Sequence, residues 1–142
     1  MSALYDKGRQ AFLEGSVHWL TDSIKATLVD TGTYTVNLTT QQYMNTNTVS
    51  SVSRIGTATA LTGLTSYSGI ADATDLTFTS VSGLSVEALI IWKDGGGSGT
   101  TVSGITDLLL AYIDTGTGLP FTPSGGDVII QWDNGTNKIF KL

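Results

Sequence analysis

The chain has 142 residues and a formal net charge of −5, and charged residues make up 13% of it against ~25% in an average soluble domain. That length fits one domain built on one core and argues against a second. With so few ionic side chains, 17 glycines and threonine at about one residue in six, a coiled coil or long-helix protein is excluded, while 40% hydrophobic content and a mean hydropathy of +0.14 disfavour intrinsic disorder.

The seven basic residues, Lys7, Arg9, Lys25, Arg54, Lys93, Lys138 and Lys141, are scattered and form no stripe to neutralise a row of phosphates, so nucleic acid is not an expected partner. No run approaches the ~18–20 apolar residues that span a bilayer, and no membrane partner is expected. The N-terminus carries acids and lacks an apolar core of the secretory type, so the chain is expected to stay where it is made unless an assembly carries it out. The absence of cysteine removes disulfides, thiolate catalysis and thiolate metal sites.

In chain order, the spacing predicts one helix over Ser2–Glu14, with Ser2 as N-cap, Leu4, Gly8, Ala11 and Phe12 on one stripe, and Gly15 as its stop. The period then changes to two. Ile24, Ala26 and Leu28 alternate with Lys25 and Thr27, Asp30–Thr33 turns the chain, and Tyr34, Val36 and Leu38 alternate again, predicting a hairpin with one wet face. Gln41–Ser53 reads as a long polar loop with a short strand near its end. Short strands follow at Arg54–Ala60, Ser66–Ala71 and Leu76–Val81, and Val86–Lys93 reads as a central strand buried on both faces. A glycine-rich loop from Asp94 leads into a strand at Asp107–Asp114, and Leu119–Gly126 is an extended connection. Asp127–Trp132 and Lys138–Leu142 flank Asn134-Gly135, a strong signal for a hairpin, and the final strand is expected to be paired. The expected fold is mainly β, an antiparallel sandwich or barrel over residues 16–142 with one short helix over residues 1–15, forming a single domain.

The most tempting chemical motif is Asp-Thr-Gly, present as Asp30-Thr31-Gly32 and Asp114-Thr115-Gly116. Aspartic peptidases use two such loops to share one proton between two carboxylates, but the apolar strand ending in glycine that threads behind each loop is missing here, and turn formation already explains the residues. His18 is the only histidine, no nucleophile elbow accompanies it, and no histidine metal site can form within one chain. Gly95–Gly99 lacks the Gly-Lys-Ser/Thr ending of a phosphate loop, and Asp133–Asn137 lacks the closing acid of a calcium loop. The sequons at Asn37 and Asn134 carry no information without a secretory route. Trp19, Trp92 and Trp132 could stack on sugars, yet the strand patterns around Trp92 and Trp132 favour core packing. No catalytic, cofactor or metal residue is assigned.

Several blocks carry a likeness: Ala3-Leu-Tyr-Asp-Lys-Gly-Arg-Gln-Ala-Phe-Leu-Glu-Gly15, Ile24-Lys-Ala-Thr-Leu-Val-Asp-Thr31, Tyr34-Thr-Val-Asn-Leu38, Glu87-Ala-Leu-Ile-Ile-Trp-Lys-Asp94, Leu110-Ala-Tyr-Ile-Asp-Thr-Gly-Thr-Gly-Leu-Pro120 and the ending from Gly125 to Leu142. Through them the chain resembles a family of small virion proteins of tailed bacteriophages, with a poor match over about residues 41–75 and at the glycine-rich loop. The resemblance implies a structural role in the particle and no catalytic residues. The expectation is therefore a non-enzymatic capsid decoration or cement protein, made in the bacterial cytoplasm and located in the virion. Its expected partners are copies of itself, with a trimer as one option, and the major capsid protein or other virion proteins. Leu4 and Phe12 on the helix and Tyr43 and Met44 in the polar loop are the expected contact residues. The alternative is a tail, fibre or adhesin module that binds host glycans.

Overall fold

Strand β7, Ala88–Lys93, is the centre of the main sheet, because a run of five apolar residues is stable only where both faces are covered. A computed structural model describes residues 2–95 and 106–142 of the chain. Beside β7 lie β2 (Ile24–Val29) and β8 (Leu108–Ile113), and the edges are β3 (Arg54–Ala60) and the short β1 (Ala3–Leu4), giving the order β1-β8-β7-β2-β3. A three-stranded sheet joins β4 (Thr65–Tyr67), β5 (Ile70–Asp72) and β10 (Phe140–Lys141), and a pair joins β6 (Leu76–Phe78) to β9 (Val128–Ile130). All these pairings are antiparallel. The fold is thus mainly β and sandwich-like, with one helix, α1 (Asp6–Leu13), near the N-terminus.

Each face of the main sheet has its own core. Ile24, Ala26, Leu28, Leu89 and Ile91 pack under the small sheets with Trp19, Phe78 and Trp132, whereas Val29, Ala88, Ile90 and Trp92 pack with Tyr5, Tyr34, Met44 and Val49 on the other side. A bulge in β8 reconciles its sequence with both. Ile91 faces Ala111 while Trp92 faces Leu109, so Leu110 is an extra residue, and Leu110 and Ala111 join the first core while Leu109 and Tyr112 join the second.

The helix starts later than its periodicity predicts. Ala3 and Leu4 pair with Tyr112 and Ala111 as a strand, Tyr5 is the N-cap, and Ser2 bonds Thr115 instead of capping. Gly15 does end the helix: at φ +70° it allows Ser16 N–H to reach Ala11 O and Gly15 N–H to reach Phe12 O, the Schellman pattern. The apolar stripe docks on the chain's own sheet. A Cβ on Gly8 would stand 2.7 Å from Leu109 O, so only glycine lets the helix lie this close to β8.

Four expected elements are corrected. The first is the wet-faced hairpin of 24–38: β2 pairs with β3 and β7, all six of its residues are buried, and residues 34–38 form no strand. Tyr34, Val36 and Leu38 instead pack as irregular chain on the second core, because β2 already has a neighbour on each side. The second is the terminal hairpin. Asp133 Oδ1 accepts Gly135 N–H at 2.9 Å and makes the turn, but β9 pairs with β6 and β10 with β5. The third is Ser66–Ala71, which is two strands around a turn at Ser68 and Gly69. The loop 41–53 ends in a 3₁₀ turn, Ser51–Ser53, where a strand was expected. The glycine-rich loop falls at 96–105, outside the described residues.

Candidate functional site

The two Asp-Thr-Gly loops leave the same end of the main sheet. Val29 faces Ala88 and Leu89 faces Ile113, so Asp30 and Asp114 follow strands separated by β7, at two strand spacings or about 10 Å between backbones. Asp30 is committed to its own turn: Oδ1 accepts Gly32 N–H at 2.8 Å and Oδ2 accepts the Thr33 hydroxyl at 3.2 Å. Glu87 stands between the loops, with Oε2 accepting Thr31 N–H at 2.8 Å. Its negative charge adds to burial in raising the pKa of Tyr112.

Other chemistry-bearing residues are similarly engaged. His18 is exposed, and its N–H bonds Asp22 Oδ2 at 2.7 Å while Lys93 pairs with the same oxygen at 2.9 Å. Burial works against the Asp22 carboxylate, but the His18 N–H and the Lys93 ammonium outweigh it and hold its pKa below the usual range. The three tryptophans are buried, and each indole N–H is spent internally: Trp19 on Thr65 O and Asp72 O, Trp92 on Thr27 Oγ1, Trp132 on Thr74 O. Among the described residues, no group of three or more His, Asp or Glu gathers as metal ligands, and no helix is long and apolar enough to cross a membrane.

The four expected contact residues do not share one surface. Met44 is completely buried in the second core, so its contacts lie within the chain. Phe12 is half-buried against Phe140, 5.9 Å between ring centres, and Trp19 meets the same ring edge-on at 5.2 Å. Tyr43 bridges to Leu108 and lines a hollow of about 480 Å³ beside Lys7 and Lys93. Leu4 is buried and lies on the floor of a larger cleft.

That cleft, about 830 Å³, is lined by residues of all three sheets. Strands β1, β9 and β10 are each the last strand of their sheet, and all three line it. Its floor is apolar, with the half-buried Ile113, Leu119, Ile130 and Phe140 lying over the buried Leu4, Leu28 and Leu89, and its walls carry the exposed Gln131 and Asn137. Arg9, Lys138 and Lys141 also line it, against Asp133 as the acidic lining residue, so its rim is positive in a chain of net −5 even with Lys138 offset by Asp72. Lys138 is loosely paired with Asp72 at 3.8 Å. Apart from Leu4, these residues carry no local signal beyond the pair of cations at 138 and 141, because they come from five separate stretches of the chain, each ordinary by itself.

Comparison with known proteins found no matching family model, no matching curated protein and no matching solved structure.

Proposed function

We propose that the chain is a non-enzymatic bacteriophage virion structural protein, a capsid decoration or cement protein that associates with copies of itself and with the shell and stabilises it. One observation carries this reading. Between Thr31 and Ala71 the sequence holds a single charged residue, Arg54, although the chain has 19. The exposed parts of this segment are the outer edge strand β3, the fully exposed β4 and the cover of the sheet's second face, with Val52 at 64% and Tyr67 at 81% exposure. Copies of an acidic protein repel one another least where such a neutral surface meets its like, and open strand edges offer backbone groups for pairing. The likeness of the sequence blocks to small phage virion proteins supports the same reading.

Particles assembled without the protein should lose resistance to heat and osmotic shock and regain it when the purified chain is added back. Particles equally robust without it would remove the proposal. The exposed ring of Tyr67 favours a second reading, a tail or fibre module that stacks on host glycans. Binding of the full chain on a glycan array, lost on Tyr67→Ala, would select it over the first.

A further inference from the structure

We infer that the cleft bounded by β1, β9 and β10 is a docking site for an extended acidic segment of a partner protein, taken up by strand addition. Three observations carry this inference, and it does not depend on the virion reading. The first is geometric. An inserted strand would lie beside three strands that each end their sheet and so have a partner strand on one side only, which is the arrangement that strand addition uses.

The second is the division of the lining into an apolar floor and a charged rim. Successive side chains of an extended segment point to opposite sides. One set would rest on Ile113 and Ile130 while the other reached the rim. Ile129, 65% exposed at the mouth, extends the apolar contact.

The third is charge. Arg9 and Lys141 are exposed, and among the described residues neither makes a salt bridge. They outnumber Asp133 without Lys138, which faces Asp72, so the rim selects carboxylates. The segment that fits is therefore one in which acidic and apolar residues alternate. A basic segment would meet like charge, and a wholly polar one would leave the floor wet.

The probe is a fluorescein-labelled decapeptide of alternating Glu and Val, titrated into the full chain, with a Lys-Val decapeptide as control and amide chemical shifts as the map. Binding of the Glu-Val peptide alone is expected, with shifted amides at Leu4, Tyr112 and the 129–141 segment. Each of Arg9→Glu and Lys141→Glu should weaken it about tenfold at low salt. Should either reversal lower the melting temperature, Arg9→Gln and Lys141→Gln supply the same test with a smaller expected loss. Equal binding of both peptides, shifts confined to the β3 edge, or affinity unchanged in the Arg9 and Lys141 variants would overturn the inference. Dextran sulfate shifting the cleft amides where the Glu-Val peptide does not would overturn it too, in favour of an anionic glycan.

Discussion

Lys25 Nζ lies 2.7 Å from Asp94 Oδ2, with the two side chains only 8% and 11% exposed and the ammonium 5.6 Å from the centre of the Trp92 ring. The pair ties the start of β2 to the residue that follows β7. Removing one partner leaves a buried charge behind, so Asp94→Ala should lose about 3–5 kcal/mol in urea unfolding. Replacing both, as Lys25→Met with Asp94→Asn, should lose much less, because neither charge is then stranded. A strong interaction energy in that double-mutant cycle is the expected result; additive losses would show that the pair is not coupled.

Gly8 sets propensity against packing. In a free helix, alanine is better than glycine by about 1 kcal/mol. Here a Cβ would meet Leu109 O at 2.7 Å and Leu110 Cα at 3.0 Å, and these are backbone atoms that cannot rotate away. Gly8→Ala should therefore destabilise by about 1–3 kcal/mol. Gly126→Ala, where nothing lies within 4 Å and φ is not positive, should be neutral or slightly stabilising. Calorimetric melting of both variants checks the sign.

The Tyr34 hydroxyl donates its single proton to Gln41 Oε1 at 2.6 Å, so in the 2.8 Å contact between the two phenols Tyr5 is the donor. Burial pushes the Tyr34 pKa up to about 12 and that of Tyr5 higher still. A phenol whose folded pKa exceeds its unfolded value of about 10 stabilises the fold fully below pH 10 and loses that contribution as pH rises toward the folded pKa. Stability should thus fall from about pH 10 upward, with a step in tyrosinate absorbance coinciding with unfolding. Tyr34→Phe should shrink the step and cost about 1 kcal/mol at neutral pH, since it leaves Gln41 and Tyr5 without that partner.

What the residues disclose by themselves follows how local their partners are. The run at Ala88–Trp92 has one stable solution, a strand covered on both faces, and it was legible for that reason. Gly15 was legible because a helix stop is decided within one turn. Lys25 and Thr27 read as a wet face, because Asp94 and Trp92, which satisfy them, stand far along the chain. Tyr34, Val36 and Leu38 have a true period of two, but the periodicity of a segment cannot reveal that both neighbouring sheet positions are taken. The cleft was illegible in the same way: Leu4, Arg9, Tyr112 and Lys141 acquire a joint meaning only once three sheets have folded.

Met44 and Tyr67 separate interior from surface within the neutral segment. Met44 is fully buried among Tyr5, Tyr34 and Val49, and Met44→Ala should cost about 2–5 kcal/mol through lost burial and the void left behind. Tyr67 is 81% exposed, and Tyr67→Ala should change stability by less than about 0.5 kcal/mol. Defects in assembly from Met44→Ala would therefore track its melting temperature, while those from Tyr67→Ala would appear at full stability. Native-state hydrogen exchange beside the assembly assay distinguishes the two.

Asp30 offers a direct test of turn against chemistry. Its Oδ1 holds Gly32 N–H at 2.8 Å, and asparagine keeps an oxygen in that place, so Asp30→Asn should preserve the turn to within about 0.5 kcal/mol. Alanine removes the acceptor from a residue that is 6% exposed, leaving the Gly32 N–H and the Thr33 hydroxyl to find others, and Asp30→Ala should lose about 1–2 kcal/mol. A carboxylate acting as half of a proton-sharing pair behaves in the opposite order, since asparagine abolishes hydrolysis as completely as alanine does. Parallel measurement of unfolding and of casein hydrolysis in both variants decides between them: graded stability with no hydrolysis in any form fits a turn, and hydrolysis by the parent lost in Asp30→Asn fits a catalytic acid.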